Sequence, residues 1–189
     1  MTDPLLLEIP EEMLSERLTL RMPRVGHQQQ VFESIHASLP ELERWLRFAQ
    51  TPPTLEDCEA RLRQNQARFL LRETLNCELF LRSSDEFIGR AGFVGVNWTL
   101  RKFEVGYWLD SRFIGQGLML EAVKTLTQMA FDTLEAQRVE IFCDVPNTGS
   151  RRVAEKAGFT LEGILKNNAL DVQDDTLWVD DCVYARVRP

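Results

Sequence analysis

The stretch SRFIGQGLML (Ser111–Leu120) sets two glycines one residue apart, after the extended run VGYWLD and before a long stretch of apolar residues at helical spacing. A helix N-terminus presents unpaired backbone N–H groups at the positive end of the helix dipole. With Gly115 and Gly117 in the turn, no side chain blocks an approaching anion, and Arg112 adds positive charge at the edge. Ordinary strand-to-helix turns also use glycine, so Gly-x-Gly alone is weak evidence for a phosphate cradle. The rest of the chain has to decide.

Two familiar nucleotide motifs fail at this turn. A dinucleotide-binding turn would want a third glycine where Leu120 stands, and an acid closing a second parallel strand about 20 residues on. Asp144 lies farther away than that, and the strands before the turn read as a meander. A P-loop would need Gly-Lys-Ser/Thr, which does not follow.

Working outward, KFEVGYWLD, FIGRAGFVGV and CELFLR are three extended runs joined by short polar connections, the pattern of an antiparallel meander. Beyond the turn, Met119, Val123, Leu126, Ala130 and Leu134 recur at helical spacing, a face wide enough to pack on a sheet. RVEIFCDV reads as a buried strand, SRRVAEKAG as a short helix stopped by Gly158, and TLEGILKNNAL and TLWVDDCVYARV as two further strands. Upstream, RLTLRMP alternates like a half-buried strand. Gly26 to Phe48 reads helical in two pieces interrupted by Pro40. A further helix begins at Thr54, with Asp57 placed to favour its first turn. Its Leu55, Cys58, Leu62 and Phe69 face inward, while Arg61, Arg63, Arg68 and Arg72 are expected to face water. The order β, αα, βββ, α, β, α, ββ implies a mixed α/β fold, of the α+β kind, with a mostly antiparallel sheet of about seven strands flanked by helices.

Composition bounds the function. With 189 residues, 44% of them hydrophobic, the chain can bury one core. A formal net charge of −7 gives no basic footprint for nucleic acid. Cys58, Cys77, Cys143 and Cys182 lie far apart without metal-ligand spacing, so no metal site is expected. No apolar run approaches the roughly 20 residues that span a bilayer, and the acidic, proline-broken start is not a signal peptide. The expectation is a soluble, cytoplasmic protein with no membrane or direct nucleic-acid partner. Residues 1–16 read as an N-terminal extension and residues 17–189 as one domain.

RFIGQG resembles the Arg/Gln-x-x-Gly-x-Gly/Ala pyrophosphate loop of the GNAT superfamily of acetyl-CoA-dependent N-acetyltransferases. The resemblance extends through VGYWLDSRFIGQGLMLEAVKTL and NTGSRRVAEKAGFTLEGILKNNAL, which are similar to the RimJ/RimL branch, most of all its RimL type. That branch acetylates N-terminal residues of ribosomal proteins. The resemblance implies the GNAT fold with a splayed strand pair after the meander, and acetyl-CoA as cosubstrate. It implies a coenzyme site formed by Trp108, Leu109, Arg112, Phe113, Ile114, Gly115, Gln116, Gly117, Leu118, Asn147 and Ser150.

In that scheme the Leu109 N–H polarises the thioester carbonyl and Ser150 meets the departing thiolate, because the tyrosine many family members use is here Ala154. Ser150 read alone is an ordinary helix-start serine. Relatives carry a glutamate base where this chain has Ala169, which leaves Glu104 as the expected base and Asp144, Asp180 and Asp181 as alternatives. Trp45 is expected to line the acceptor side with Glu104, or else to be core. His36 is a further base to weigh, and Arg151 and Arg152 are candidates for the coenzyme's 3′-phosphate.

The expected acceptor is a peptide or protein N-terminus, ribosomal proteins foremost, since a weak base suits an α-amine (pKa about 8) better than lysine (about 10.4, roughly 3 kcal/mol harder to deprotonate). A small amine such as a polyamine or antibiotic is the alternative acceptor. A coenzyme-sensing module without transfer is the alternative class, kept open by Ala169. The likeness also favours a homodimer.

Overall fold

A computed structural model describes residues 3–188. Its eight-stranded sheet comprises β1 (Glu12–Leu14), β2 (Leu18–Arg21), β3 (Leu75–Leu81), β4 (Phe87–Asn97), β5 (Lys102–Leu109), β6 (Arg138–Asp144), β7 (Thr160–Leu170) and β8 (Trp178–Val187). The helices are α1 (Gln28–Ala37), α2 (Leu39–Leu42), α3 (Leu55–Leu70), α4 (Leu118–Asp132) and α5 (Thr148–Lys156). The strands lie in the order β1-β2-β3-β4-β5-β6-β8-β7, and every pairing is antiparallel except β5 with β6. The short, largely exposed β1 adds one strand to the number expected from sequence, because three residues carry no usable alternation.

The expected break at Pro40 falls instead at Ser38. Pro40 sits inside the first turn of α2, where its missing N–H would have had no partner anyway. At α3 the capping box is complete: Asp57 N–H donates to Thr54 Oγ1 at 3.1 Å, and Thr54 N–H donates to Asp57 Oδ2 at 2.9 Å.

Alternation along β5 divides the core between the two faces of the sheet. Phe103 and Val105 point to the face covered by α4 and α5, where Leu118, Val123 and Leu126 are buried. Trp108 points to the face covered by α1 and α3, among Val31, Ile35, Leu62 and Phe87. Leu126 is fully buried, and truncating it to alanine would cost about 2–5 kcal/mol.

One irregularity in the sheet positions everything that follows. β5 and β6 pair only at Lys102–Glu104 with Arg138–Glu140. Beyond that rung β5 stays with β4 as far as Leu109, and β6 stays with β8 as far as Asp144. Each strand is held on one edge alone, and the two part.

Candidate active site

Between the parted strands lies a cleft of about 700 Å³, walled by the ends of β5 and β6, the turn before α4, the start of α5 and the segment around Trp45. On the β4 side Asp110 N–H donates to Ile88 O at 2.8 Å. Successive strand amides point to opposite edges, so the Leu109 N–H faces the edge that β6 leaves open. The Leu109 amide therefore faces the cleft.

Gly115 (φ +83°) and Gly117 (φ +77°) both occupy the left-handed region, and Gly117 is the N-cap of α4 with no side-chain cap. A Cβ at Gly115 would meet nothing within 4 Å, so here glycine answers to backbone conformation and an open approach. The first amides of α4 have no side-chain cap. Ile114 and Leu118 line the cleft beside them.

The turn is held from behind by a residue outside the motif. Arg17 Nη1 donates to Gln116 O at 3.0 Å, while the Arg17 N–H and Nε both reach Glu121, each at 2.7 Å. The Ser15 hydroxyl adds a third bond to Glu121, also at 2.7 Å. Burial alone would raise the Glu121 pKa, but these hydrogen bonds and the Arg17 charge outweigh it and hold the carboxyl below its ordinary value.

Arg112, Phe113 and Gln116 do not wall the cleft. The Arg112 guanidinium is committed to the buried carboxylate of Asp110 at 2.6 Å. Phe113 packs against the α4-side core, and Gln116 contributes its carbonyl to Arg17. Positive charge comes to the cleft from α5 instead, where Arg152 and Lys156 line it one turn apart. Arg151 is used internally, donating to Tyr184 Oη and Val145 O, both at 3.2 Å.

Asn147 caps α5 by accepting from Ser150 N–H at 3.0 Å. That leaves the Ser150 hydroxyl free for Tyr107, whose Oη lies 2.8 Å from Ser150 Oγ and 3.2 Å from Ser150 O. Burial drives the Tyr107 phenol well above its ordinary pKa, so it stays protonated. Cys143, beside this pair, is pushed up to about 11 chiefly by burial. Tyr107 was absent from the sequence-derived set. The signal was its alternation with Val105 on the α5 side of β5, which could be seen only once the neighbouring helix was known.

Among the acids, Glu104 stands on the last paired rung, opposite Glu140, at the base of the split and outside the cleft lining. Its pKa is raised by burial and then by Glu140. Asp144 does line the cleft, and burial followed by Asp181 raises its pKa. Asp180 is taken up by Lys166 at 2.7 Å and the Asn167 N–H at 3.0 Å. Asp181 accepts from Asn168 at 2.8 Å. His36 Nδ1 is bonded to Phe32 O at 2.9 Å within its own helix. Trp45 is half-buried and lines the cleft on the α1–α3 side, under the Arg44 guanidinium. Trp108 lines the cleft too, its ring packed against Phe87 and Phe48.

Such a cleft suits a long, narrow cosubstrate whose anionic end rests on α4 while its reactive end passes between the strands: the protein is an acyl transferase. It belongs to the GNAT family, whose Acetyltransferase (GNAT) domain model matches residues 17–160. Over 72% of this chain and 74% of the relative, it is 35% identical to a probable N-acetyltransferase, YjcK, of Bacillus subtilis. It is 29% identical to the ribosomal-protein-serine acetyltransferase of Escherichia coli, over 92% of this chain and 94% of that one. The solved structure of RimL, a ribosomal L7/L12 alpha-N-protein acetyltransferase in complex with coenzyme A, superposes with a TM-score of 0.82. That match covers 93% of this chain and 96% of the other at 25% identity. The protein is thus an acetyl-CoA-dependent N-acetyltransferase, transferring an acetyl group to a primary amine.

Proposed function

We propose that the acceptor is the N-terminal α-amine of a peptide or protein, with ribosomal proteins the leading class, and that transfer is direct within a ternary complex. Acetyl-CoA supplies the activated acyl group; the chain supplies position, hydrogen bonds and a proton path. The Gly115-to-Leu118 turn and α4's first amides receive the diphosphate, with Arg152 and Lys156 adding charge. The Leu109 N–H is aimed at the carbonyl oxygen, where negative charge develops. With the Tyr107 phenol donating to Ser150 Oγ, the serine proton is free for the leaving sulfur, and Asn147 fixes the helix that carries it.

For the base, the geometry favours Asp144 over Glu104, because Asp144 lies in the cleft wall and Glu104 at its foot. Trp45 forms the acceptor's wall. The parting of β5 from β6 carries this reading, since it leaves the Leu109 N–H facing the open edge of β5. A half-buried carboxylate with a raised pKa is a modest base, matched to an α-amine that is partly neutral near pH 7. The whole-length likeness to a ribosomal-protein-serine acetyltransferase supports the same acceptor and a cytoplasmic setting. A homodimer would form along β7, an edge strand exposed over most of its length that carries Leu161, Ile164 and Leu165.

The test compares thiol release on an N-terminally free peptide with release on the same peptide acetylated at its N-terminus and bearing one lysine. Faster turnover at the α-amine is expected. Preference for the lysine would overturn the reading.

A further inference from the structure

The carboxylate read above as the base does not stand alone. Asp144 of β6 and Asp181 of β8 are direct partners in the sheet register. Arg188 N–H donates to Gln137 O and Val145 N–H donates to Asp180 O, each at 3.0 Å, which puts the hydrogen-bonded rungs at the odd-numbered residues of β6. Asp144–Asp181 is therefore a non-hydrogen-bonded rung, the kind whose Cα atoms approach to about 4.5 Å and whose side chains stand closest. Their neighbours Cys143 and Cys182 turn into the α4–α5 core, so by alternation both carboxyls project from the other face, the acceptor side in the reading above.

The two acids differ in setting. Asp144 is half-buried and lines the cleft, whereas Asp181 is 7% exposed and lies behind the lining. Asn168, in the irregular stretch of β7 between Leu165 and Ala169, donates Nδ2 to Asp181 Oδ2 at 2.8 Å. That bond anchors the Asp181 carboxyl within hydrogen-bonding reach of Asp144. Among the described residues neither acid forms a salt bridge. Lys166 is taken by Asp180, while Lys102 and Arg138 both go to Glu140. The remaining charges toward this face are anionic, Glu104 of β5 and Asp171 of the β7–β8 turn. Arg44, Arg152 and Lys156 stand on other walls of the cleft. Two carboxyls in contact with no cation between them are most stable with one proton between them. The raised pKa of Asp144, from burial first and Asp181 next, is the sign such a pair leaves.

We propose that Asp181 is a positioning residue for the base, holding in a shared hydrogen bond the proton that Asp144 takes from the acceptor. The acceptor arrives as an ammonium and brings the missing charge and the missing proton together. One N–H proton passes to Asp144, whose new O–H donates to Asp181. The freed lone pair attacks the thioester carbon and the C–S bond breaks. A second N–H proton ends on the sulfur by way of Ser150, and the proton on Asp144 returns to water, which restores the pair. The proposal rests on Asp144 as the base and adds the residue that strengthens it.

The experiment follows the enzyme's acid limb of kcat/KM, and the 13C titration of the Asp144 carboxyl, in the wild type and in Asp181→Asn. Asparagine keeps the size and can still accept from Asn168, but it removes the charge. The limb and the Asp144 midpoint should both fall by about one pH unit or more, and the rate above the limb should fall severalfold, because the base is weaker. A slower enzyme with both midpoints unmoved would give Asp181 a structural role alone and overturn the proposal. Asp181 also faces Glu104, so the limb by itself does not name the base, and the carbon signal does. If Asp144→Asn keeps the limb, the base reading fails instead and the Asp144 midpoint decides on the pair: a fall in Asp181→Asn upholds it, no change overturns it. Should Asp181→Asn not fold, the wild type decides. Coupled carboxyls show two titration steps at both carbons, and independent single steps overturn the pairing.

Discussion

On the α4–α5 side of the split between β5 and β6, the groups aimed at the cleft are mostly backbone: the amides after Gly117, the Leu109 N–H, and a hydroxyl locked by a tyrosine. On the α1–α3 side they are side chains: Trp45 and the Trp108 ring. Backbone groups are fixed by strand register and helix start, so that side can recognise one invariant cosubstrate with little freedom to drift. Side chains can be exchanged without disturbing the sheet, and the other side can be retuned to a different acceptor. The two halves of the reaction are thereby separated in what mutation can do to them.

The largest effect should come from breaking the backbone side. Gly117→Glu places a carboxylate where the diphosphate approaches and forces a side chain into a left-handed conformation costing about 1–2 kcal/mol. Coenzyme A affinity by calorimetry should fall about a hundredfold or more. Gly117→Ala carries the strain without the charge and should lose no more than about tenfold. Similar losses in the two variants would mean that strain, and not the anion cradle, governs binding.

Next in size is the hydroxyl pair. Ser150→Ala should lower kcat about 10- to 100-fold, through loss of a donor to the leaving sulfur. Tyr107→Phe keeps the serine but frees its rotor, and a smaller fall in kcat is expected. A Tyr107→Phe defect equal to that of Ser150→Ala would move the donor role to the phenol.

Asp144→Asn tests the boundary between the two sides. A base works only when ionised, so the rate should rise with pH through the Asp144 pKa, which burial and Asp181 hold above the ordinary carboxylate value. The asparagine variant should lose about tenfold in kcat and flatten this acid limb. If Glu104→Gln flattens it and Asp144→Asn does not, the base sits at the foot of the split instead.

The same division explains what could be read from the residues alone. Gly115 and Gly117 were legible as a turn from their spacing, whereas Leu109 came only through the family resemblance. The meander, α4 and the final hairpin followed from periodicity. Arg112 misled because its nearest acid, Asp110, is two residues away and buried, a fact no spacing rule reveals. The Arg61 orientation and the Tyr107 partnership were out of reach. Helical phase puts Arg61 at the edge of the solvent face, and only the packing of α3 beside Phe48 turns it inward. Likewise Arg152 and Lys156, not Arg151, emerged as the cleft cations once α5 was oriented by its Asn147 cap.

The smallest predicted effect concerns the brace behind the glycine turn. Arg17→Ala removes two side-chain contacts, one to Gln116 O and one to Glu121, and keeps the backbone N–H bond to Glu121; the arginine side chain is 45% exposed, so solvent screening reduces their worth to about 0.5–1 kcal/mol. Coenzyme A affinity should drop only about threefold, because the turn keeps its glycines and loses only its backing. The pH dependence identifies the cause. Glu121 is held below its ordinary pKa, so its stabilising share is full above the ordinary carboxylate range and is lost as pH falls through the lowered value. The difference in urea stability between wild type and Arg17→Ala should therefore narrow as pH is lowered from neutral into the acid range. A difference that stays constant with pH would assign the brace to the Arg17 contact with Gln116, independent of the Glu121 charge.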